Sequence, residues 1–252
     1  MMKAFFQFSY ARYILLSIGM VIAVFTGYSI VFHHKLSNAE IDQLEMQSTF
    51  GQDDTSLLRL KKAADHGQIE AKMAVGKSYL FKHQYPLAIA YLDSAAQQGN
   101  VEAATTLGKI YFQGDDRLAK NPELALKYFN QAYAQQDPSA AYYLGLIYKN
   151  GYGLKADIVK ANQYFQFAAD HQIANAMFML GNAYQYGDGK QVNLQQAYLW
   201  YQKAADLELP EAIQELAHIY QYGNQAIKAN QTAYQQQMME IGHSLKHPAL
   251  SP

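Results

Sequence analysis

The sequence predicts an all-α protein: a right-handed α-solenoid of antiparallel helix pairs, preceded by one transmembrane helix. Three observations predict it. Residues 144–170 (LGLIYKNGYGLKADIVKANQYFQFAAD) and 180–206 (LGNAYQYGDGKQVNLQQAYLWYQKAAD) say nearly the same thing twice. Gly145 and Gly181 are 36 residues apart, as are Ala168 and Ala204. A period of about 20–50 residues is the signature of a stacked array of supersecondary units. Within each copy, small and large apolar residues recur every three or four positions, the stripe of an amphipathic helix. Finally, residues 13–32 contain no charge, and about 20 apolar residues suffice for a helix to cross a hydrocarbon core.

From the N-terminus, residues 1–12 form a short segment expected on the cytoplasmic side. Lys3 and Arg12 precede the apolar run and Lys35 follows it, and basic residues favour the cytoplasm. A cleaved signal peptide has a shorter apolar region, about 7–15 residues, and the one small-x-small site, Gly27-Tyr28-Ser29, is a poor one. The expectation is an uncleaved anchor in the inner (cytoplasmic) membrane, with the rest of the chain periplasmic. Residues 33–55 read as a juxtamembrane stalk, part of it open to a helical reading because Ile41 and Leu44 stand at i and i+3.

Residues 56–244 carry the array, and 245–252 a tail. A ruler runs through it: Val75-Gly76, Leu107-Gly108, Leu144-Gly145, Leu180-Gly181 and the altered Leu216-Ala217, each with a tyrosine three residues on. A glycine within a helix costs about 1 kcal/mol relative to alanine. Its return at one position implies that a neighbouring helix comes too close for a side chain. A second glycine (Gly114, Gly151, Gly187, Gly223) ends this first helix. Asn121-Pro122, Asp157 or Asn193 then opens the second helix, since Asn and Asp are strong N-caps and proline suits the first helical position. The second helix repeats A-x-x-[YW]-[FYL]-x-x-A, as in Ala161-Tyr164-Phe165-Ala168 and Ala197-Trp200-Tyr201-Ala204. Leu57 to Ala64 looks like a solitary second helix ahead of the array, and Thr232 to His243 like a degenerate one behind it, with Gln236 in the Tyr/Trp position. Together these elements give roughly 11 helices between about Ser56 and His243, the two ends acting as caps.

The arrangement A-x-x-L-G-x-x-Y-x-x-G-x-G, a cap, then K-A-x-x-[YW]-[FY]-x-x-A-A resembles the Sel-one-like repeat, a longer-looped relative of the tetratricopeptide repeat. The match is best over 141–169 and 176–205, and weaker over 104–132, where Gly-Asp-Asp replaces Gly-x-Gly. In the first copy a short connection over 81–86 brings the spacing down to 32. The resemblance implies a non-enzymatic scaffold or adaptor that holds a protein or peptide partner.

Composition narrows the chemistry. With 20 basic against 21 acidic residues there is no basic excess of the kind nucleic acid requires. The absence of cysteine removes a disulfide framework, a thiolate zinc site and a cysteine nucleophile. No H-E-x-x-H, G-x-S-x-G, Walker or dinucleotide glycine motif is present. His243 and His247 have i, i+4 ligand spacing, but Pro248 follows and no third ligand is evident. Gly151-Tyr152-Gly153 and Gly187-Asp188-Gly189 recur at the repeat period and so are turns between helices rather than phosphate loops. Asp115-Asp116 and Asp188 offer too few oxygens for calcium, which takes about 6–8. No catalytic residue, metal, cofactor or small-molecule substrate is assigned. Relatives credited with β-lactam hydrolysis are cysteine-rich, so an enzyme or enzyme accessory is the weakest alternative; an immunity protein that neutralises a secreted toxin is the other.

Stacked helix pairs curve, and their first helices line the concave side where partners dock. Positions two before, two after and five after the ruler leucine form a stripe apart from the core stripe. The residues assigned to a partner there are Lys77, Lys109, Phe112, Tyr142, Leu146, Lys149, Phe178, Asn182 and Gln185. Phe112, Tyr142, Leu146 and Phe178 make an apolar cluster at its middle, the composition of a hot spot. The alternative is that some of these four simply complete the core. The lysines suit an acidic peptide.

Overall fold

The computed structural model describes residues 35–244, and every regular element among them is a helix. In order they are α1 Asn38–Thr49, α2 Asp54–Asp65, α3 Ile69–Phe81, α4 Tyr85–Gln97, α5 Val101–Gln113, α6 Pro122–Tyr133, α7 Pro138–Asn150, α8 Ile158–Asp170, α9 Ala174–Tyr186, α10 Leu194–Ala205, α11 Pro210–Tyr222 and α12 Gln231–Ser244. Eleven of these, α2 to α12, fall in the span expected for the array. The expected membrane segment, 13–32, and the tail, 245–252, lie outside the described residues. Among the described ones, no helix is long and apolar enough to cross a membrane. The chain divides into two compact units at Ser78/Tyr79.

In the first unit α2 is not solitary. It packs against α1, a helix inside the segment expected as a stalk. The signal for α1 was present in the sequence: Ser37 and Glu40 form a capping box, the Ser37 Oγ accepting from the Glu40 amide at 3.3 Å while Glu40 accepts from the Ser37 amide at 2.9 Å. Ile41 and Leu44, the pair at helical spacing, are buried. Below them the buried hydroxyls of Ser48, Thr49 and Ser78 bond to one another, with Ser48 Oγ 2.8 Å and Thr49 Oγ1 3.1 Å from Ser78 Oγ. The side-chain amide of Gln68 closes on the backbone of Leu36, accepting from its N–H at 3.0 Å and donating to its carbonyl at 2.8 Å.

The second unit is the regular array. Within a repeat α5 packs on α6, α7 on α8, α9 on α10 and α11 on α12, while α6–α7, α8–α9 and α10–α11 join successive repeats. The expected caps are in place. Asn121, Asp157 and Asn193 each accept, through the side chain, the backbone N–H three residues on, at 2.9, 2.9 and 3.0 Å. The glycine stops divide into two kinds. Gly151 and Gly187 are left-handed (φ 70, ψ 34 and φ 79, ψ 22), whereas Gly114 and Gly223 combine positive φ with ψ 177. That last region is open essentially to glycine alone. The second kind is followed by an Asx turn. Asp115 and Asn224 each accept two backbone amides, and the N–H of each donates to the carbonyl three residues on. Gly-Asp-Asp is therefore a different loop rather than a damaged Gly-x-Gly.

The core follows the two stripes. Ala141, Leu144, Ala161, Phe165, Ala168, Ala176 and Leu180 are almost fully buried, and Tyr201, Leu216 and Ile219 continue the core toward the C-terminus. Three of the ruler glycines, Gly108, Gly145 and Gly181, face the aromatic of the second helix of their own repeat. A Cβ at Gly108 would lie 2.5 Å from the Phe129 ring, at Gly145 2.4 Å from Phe165, and at Gly181 2.4 Å from Tyr201. The close approach expected of a helix is made by a ring.

Candidate functional site

The site assigned to a partner on this scaffold is a surface. Asp115, a residue weighed for calcium, has its carboxylate committed to the Arg117 and Leu118 amides, each at 2.8 Å, and to the Tyr85 hydroxyl. The hydrogen bond from Tyr85 is the main cause holding that carboxyl below its usual range. Among the described residues no group of three or more His, Asp or Glu is placed to hold a metal ion. His247 lies outside them.

The stripe assigned to a partner is half-buried along its whole length, and its residues separate into three groups. Several are engaged inside the fold. Lys77 of the first unit reaches Glu45 at 3.7 Å. Asn182 accepts from the Tyr201 hydroxyl at 2.7 Å, satisfying a phenol whose ring is fully buried. Gln185 donates to the Tyr186 hydroxyl at 3.0 Å. Phe178 tilts over Tyr201 with ring centroids 5.5 Å apart and packs against two neighbouring core clusters. Phe112 stands edge-on to Phe129, Tyr143 and Tyr152, at 6.3, 5.5 and 5.7 Å.

Lys109, Tyr142 and Leu146 belong to the second group. They share one cleft of about 140 Å³ with Ser139, Tyr143, Ile173 and Asn175. The cleft therefore spans three consecutive first helices, α5, α7 and the start of α9. Burial, reinforced by Tyr143 and the carboxylate of Glu211, pushes the Tyr142 phenol up to about 12. Tyr142 stays neutral and can donate a hydrogen bond at any ordinary pH. Lys149 makes the third group. It sits one turn beyond Leu146, half-buried and with no ion pair among the described residues.

Tyr143 was missed. It lies one residue outside the stripe, yet its ring stacks on Phe129 (4.8 Å, 2° between planes), meets Tyr142 at 5.3 Å, and carries the Lys109 ammonium 5.6 Å from its centroid. A helical stripe is wider than a single column of positions, so two adjacent tyrosines at 142 and 143 were the available signal.

Antiparallel helix pairs stacked at a fixed period, with a cleft crossing successive first helices, define an α-solenoid repeat protein. The Sel1 repeat model matches residues 73–100, 101–137, 138–172, 174–209 and 210–233. The chain belongs to the Sel1 repeat family. Among solved structures it is similar to a Sel1 repeat protein from Oxalobacter formigenes, at 27% identity and a TM-score of 0.72, over 82% of this chain and 88% of that one. Its fold is also that of a protective antigen of uropathogenic Escherichia coli strains (22% identity, TM-score 0.66, over 75% of this chain and 41% of that one). The same holds for an immunity protein from Pseudomonas aeruginosa (15%, TM-score 0.53, 78% and 75%). No curated protein matches the chain. Sel1 repeat proteins are generally protein-interaction scaffolds, and the fold is typically non-enzymatic.

Proposed function

We propose that the chain is a non-enzymatic adaptor of the bacterial envelope. Residues 13–32 anchor it in the inner membrane with the N-terminus cytoplasmic, and the repeats, on the periplasmic side, hold a protein or peptide partner on the face of the first helices. One observation carries the docking surface: a single open cleft is lined from α5, α7 and α9, where Lys109, Tyr142 and Leu146 meet. A partner lying across successive repeats would cross this cleft. The uncharged run and its flanking lysine and arginine support the anchor.

A photo-crosslinking residue placed at Lys149, on the cleft side, or at Gln163, exposed on the second helix, tests the surface in intact cells. Adducts at 149 alone are expected; adducts at 163 alone, or equally at both, would move the docking surface elsewhere. The orientation is tested separately by a reporter fused after Pro252 that works only outside the cytoplasm, and a silent fusion reverses it.

An immunity protein is the second reading, favoured by the fold shared with the Pseudomonas aeruginosa immunity protein. It uses the same face. A toxin gene beside this one, and growth arrest by that toxin on deleting this chain, would favour it over a housekeeping adaptor.

A further inference from the structure

The volume of the cleft limits what enters it. At about 140 Å³ it matches a cavity of about 150 Å³ that accepts one benzene ring, and it is well short of the roughly 300–1,000 Å³ that encloses a whole small ligand. It takes one side chain. Tyr142, Tyr143, Leu146 and Ile173 make its apolar wall, and Ser139 and Asn175 are its neutral polar members.

Lys109 is the only formal charge in the lining. Its ammonium stands over the Tyr143 ring and forms no ion pair among the described residues. Lys149, on the same helix face as Leu146, likewise forms no ion pair among the described residues. The carboxylate that acts on this region, Glu211, bears on the Tyr142 phenol and is not bridged to Lys109. A half-buried, uncompensated cation beside a one-side-chain pocket is complementary to an anion carried next to an apolar group.

We propose that the cleft is an anchor pocket for one large apolar side chain of a partner peptide, and that Lys109 recognises an Asp or Glu carboxylate adjacent to it. This rests on the first-helix face being the docking surface. Two acetylated dipeptide amides serve as probes, Phe-Glu and Phe-Gln, titrated against the full chain in mild detergent and read from the methyl resonances of Leu146 and Ile173. Phe-Glu is expected to bind about threefold more tightly than Phe-Gln, the preference an exposed-to-half-buried ion pair confers. That preference should fade in 1 M salt, where the screening length falls to about 3 Å. Lys109→Gln should remove it and Lys109→Arg should keep it, while an Ala-Glu probe should not move the methyl resonances. Equal affinities of Phe-Glu and Phe-Gln for the wild-type chain, or binding of Ala-Glu as strong as Phe-Glu, would overturn the assignment. Crosslinks through position 149 alongside such a result would leave the docking surface standing and remove only the pocket.

Discussion

Gly145 and Phe165 fit one another: a Cβ on Gly145 would stand 2.4 Å from the nearest ring carbon of Phe165. The same pairing recurs as Gly108 with Phe129 and Gly181 with Tyr201. In the last repeat alanine replaces the glycine at 217, and the residue in register with the ring is Gln237. The last repeat lacks both glycine and ring, whereas the first keeps Gly76 with Leu92 in the ring's register.

Gly145→Leu should therefore destabilise the array by about 2 kcal/mol, the range of overpacking in a filled core. A glycine without this neighbour would gain about 1 kcal/mol of helix propensity from alanine. Gly145→Ala thus reports the sign of the contact. Alanine should lower the unfolding midpoint in wild type and raise it in a Phe165→Ala background. An unchanged midpoint for Gly145→Leu in a urea melt would show that the ring is not held there.

Thr105 makes the opposite case. Its side chain is buried on α5 one turn before Lys109, and Oγ1 has no hydrogen-bond partner among the described residues. A buried, unsatisfied hydroxyl costs about 1–3 kcal/mol, and valine has nearly the same shape. Thr105→Val should raise stability by about 1 kcal/mol, visible as a higher thermal midpoint. A fall would mean that the hydroxyl finds a partner in solution.

The array and its caps were legible because both rest on local rules: the 36-residue period, Asn or Asp at the N-cap, glycine at the stop. Helix α1 was legible only in part, because its stretch lacks the ruler and is polar: the pair Ile41 and Leu44 pointed to a helix, and the Ser37–Glu40 box fixes its start. The stripe expected to hold a partner could be read from the sequence as a helix face, but not which of its residues the fold itself would use. Its expected members are half-buried, and whether a half-buried side chain faces a partner depends on what the next repeat places against it. Asn182 is taken by Tyr201 and Phe178 by the core, while Tyr142 and Leu146 are left lining a cleft.

Acid should loosen α2 first through Asp53. Hydrogen bonds from Ser56, then Thr55, to this N-cap carboxylate lower its pKa to about 2. A folded pKa below the unfolded value gives stability that is complete above the unfolded pKa, near 4, and is lost as pH falls toward 2. Unfolding midpoints of the wild type should drop over that window more than those of Asp53→Ala. Parallel curves for the two proteins would show that the cap bonds do not persist in solution.

Phe178 separates structure from binding. As a free hot-spot ring, its replacement by alanine would weaken partner binding and leave the fold alone. Its ring lies 5.5 Å from that of Tyr201 and packs against two core clusters, so Phe178→Ala should cost about 3 kcal/mol of stability, as aromatic truncation in a core does. Any loss of binding would then be partly a loss of fold. Tyr142, with its hydroxylated ring on the cleft, is the better probe. Tyr142→Phe keeps the apolar wall and removes a donor that burial keeps protonated. It should hardly alter the melt, yet weaken the captured partner if the phenol bonds to it. Gln163→Ala on the outer face should do neither. A Phe178→Ala protein that melts with the wild type would place that ring outside the core and return it to the list of contacts a partner could use.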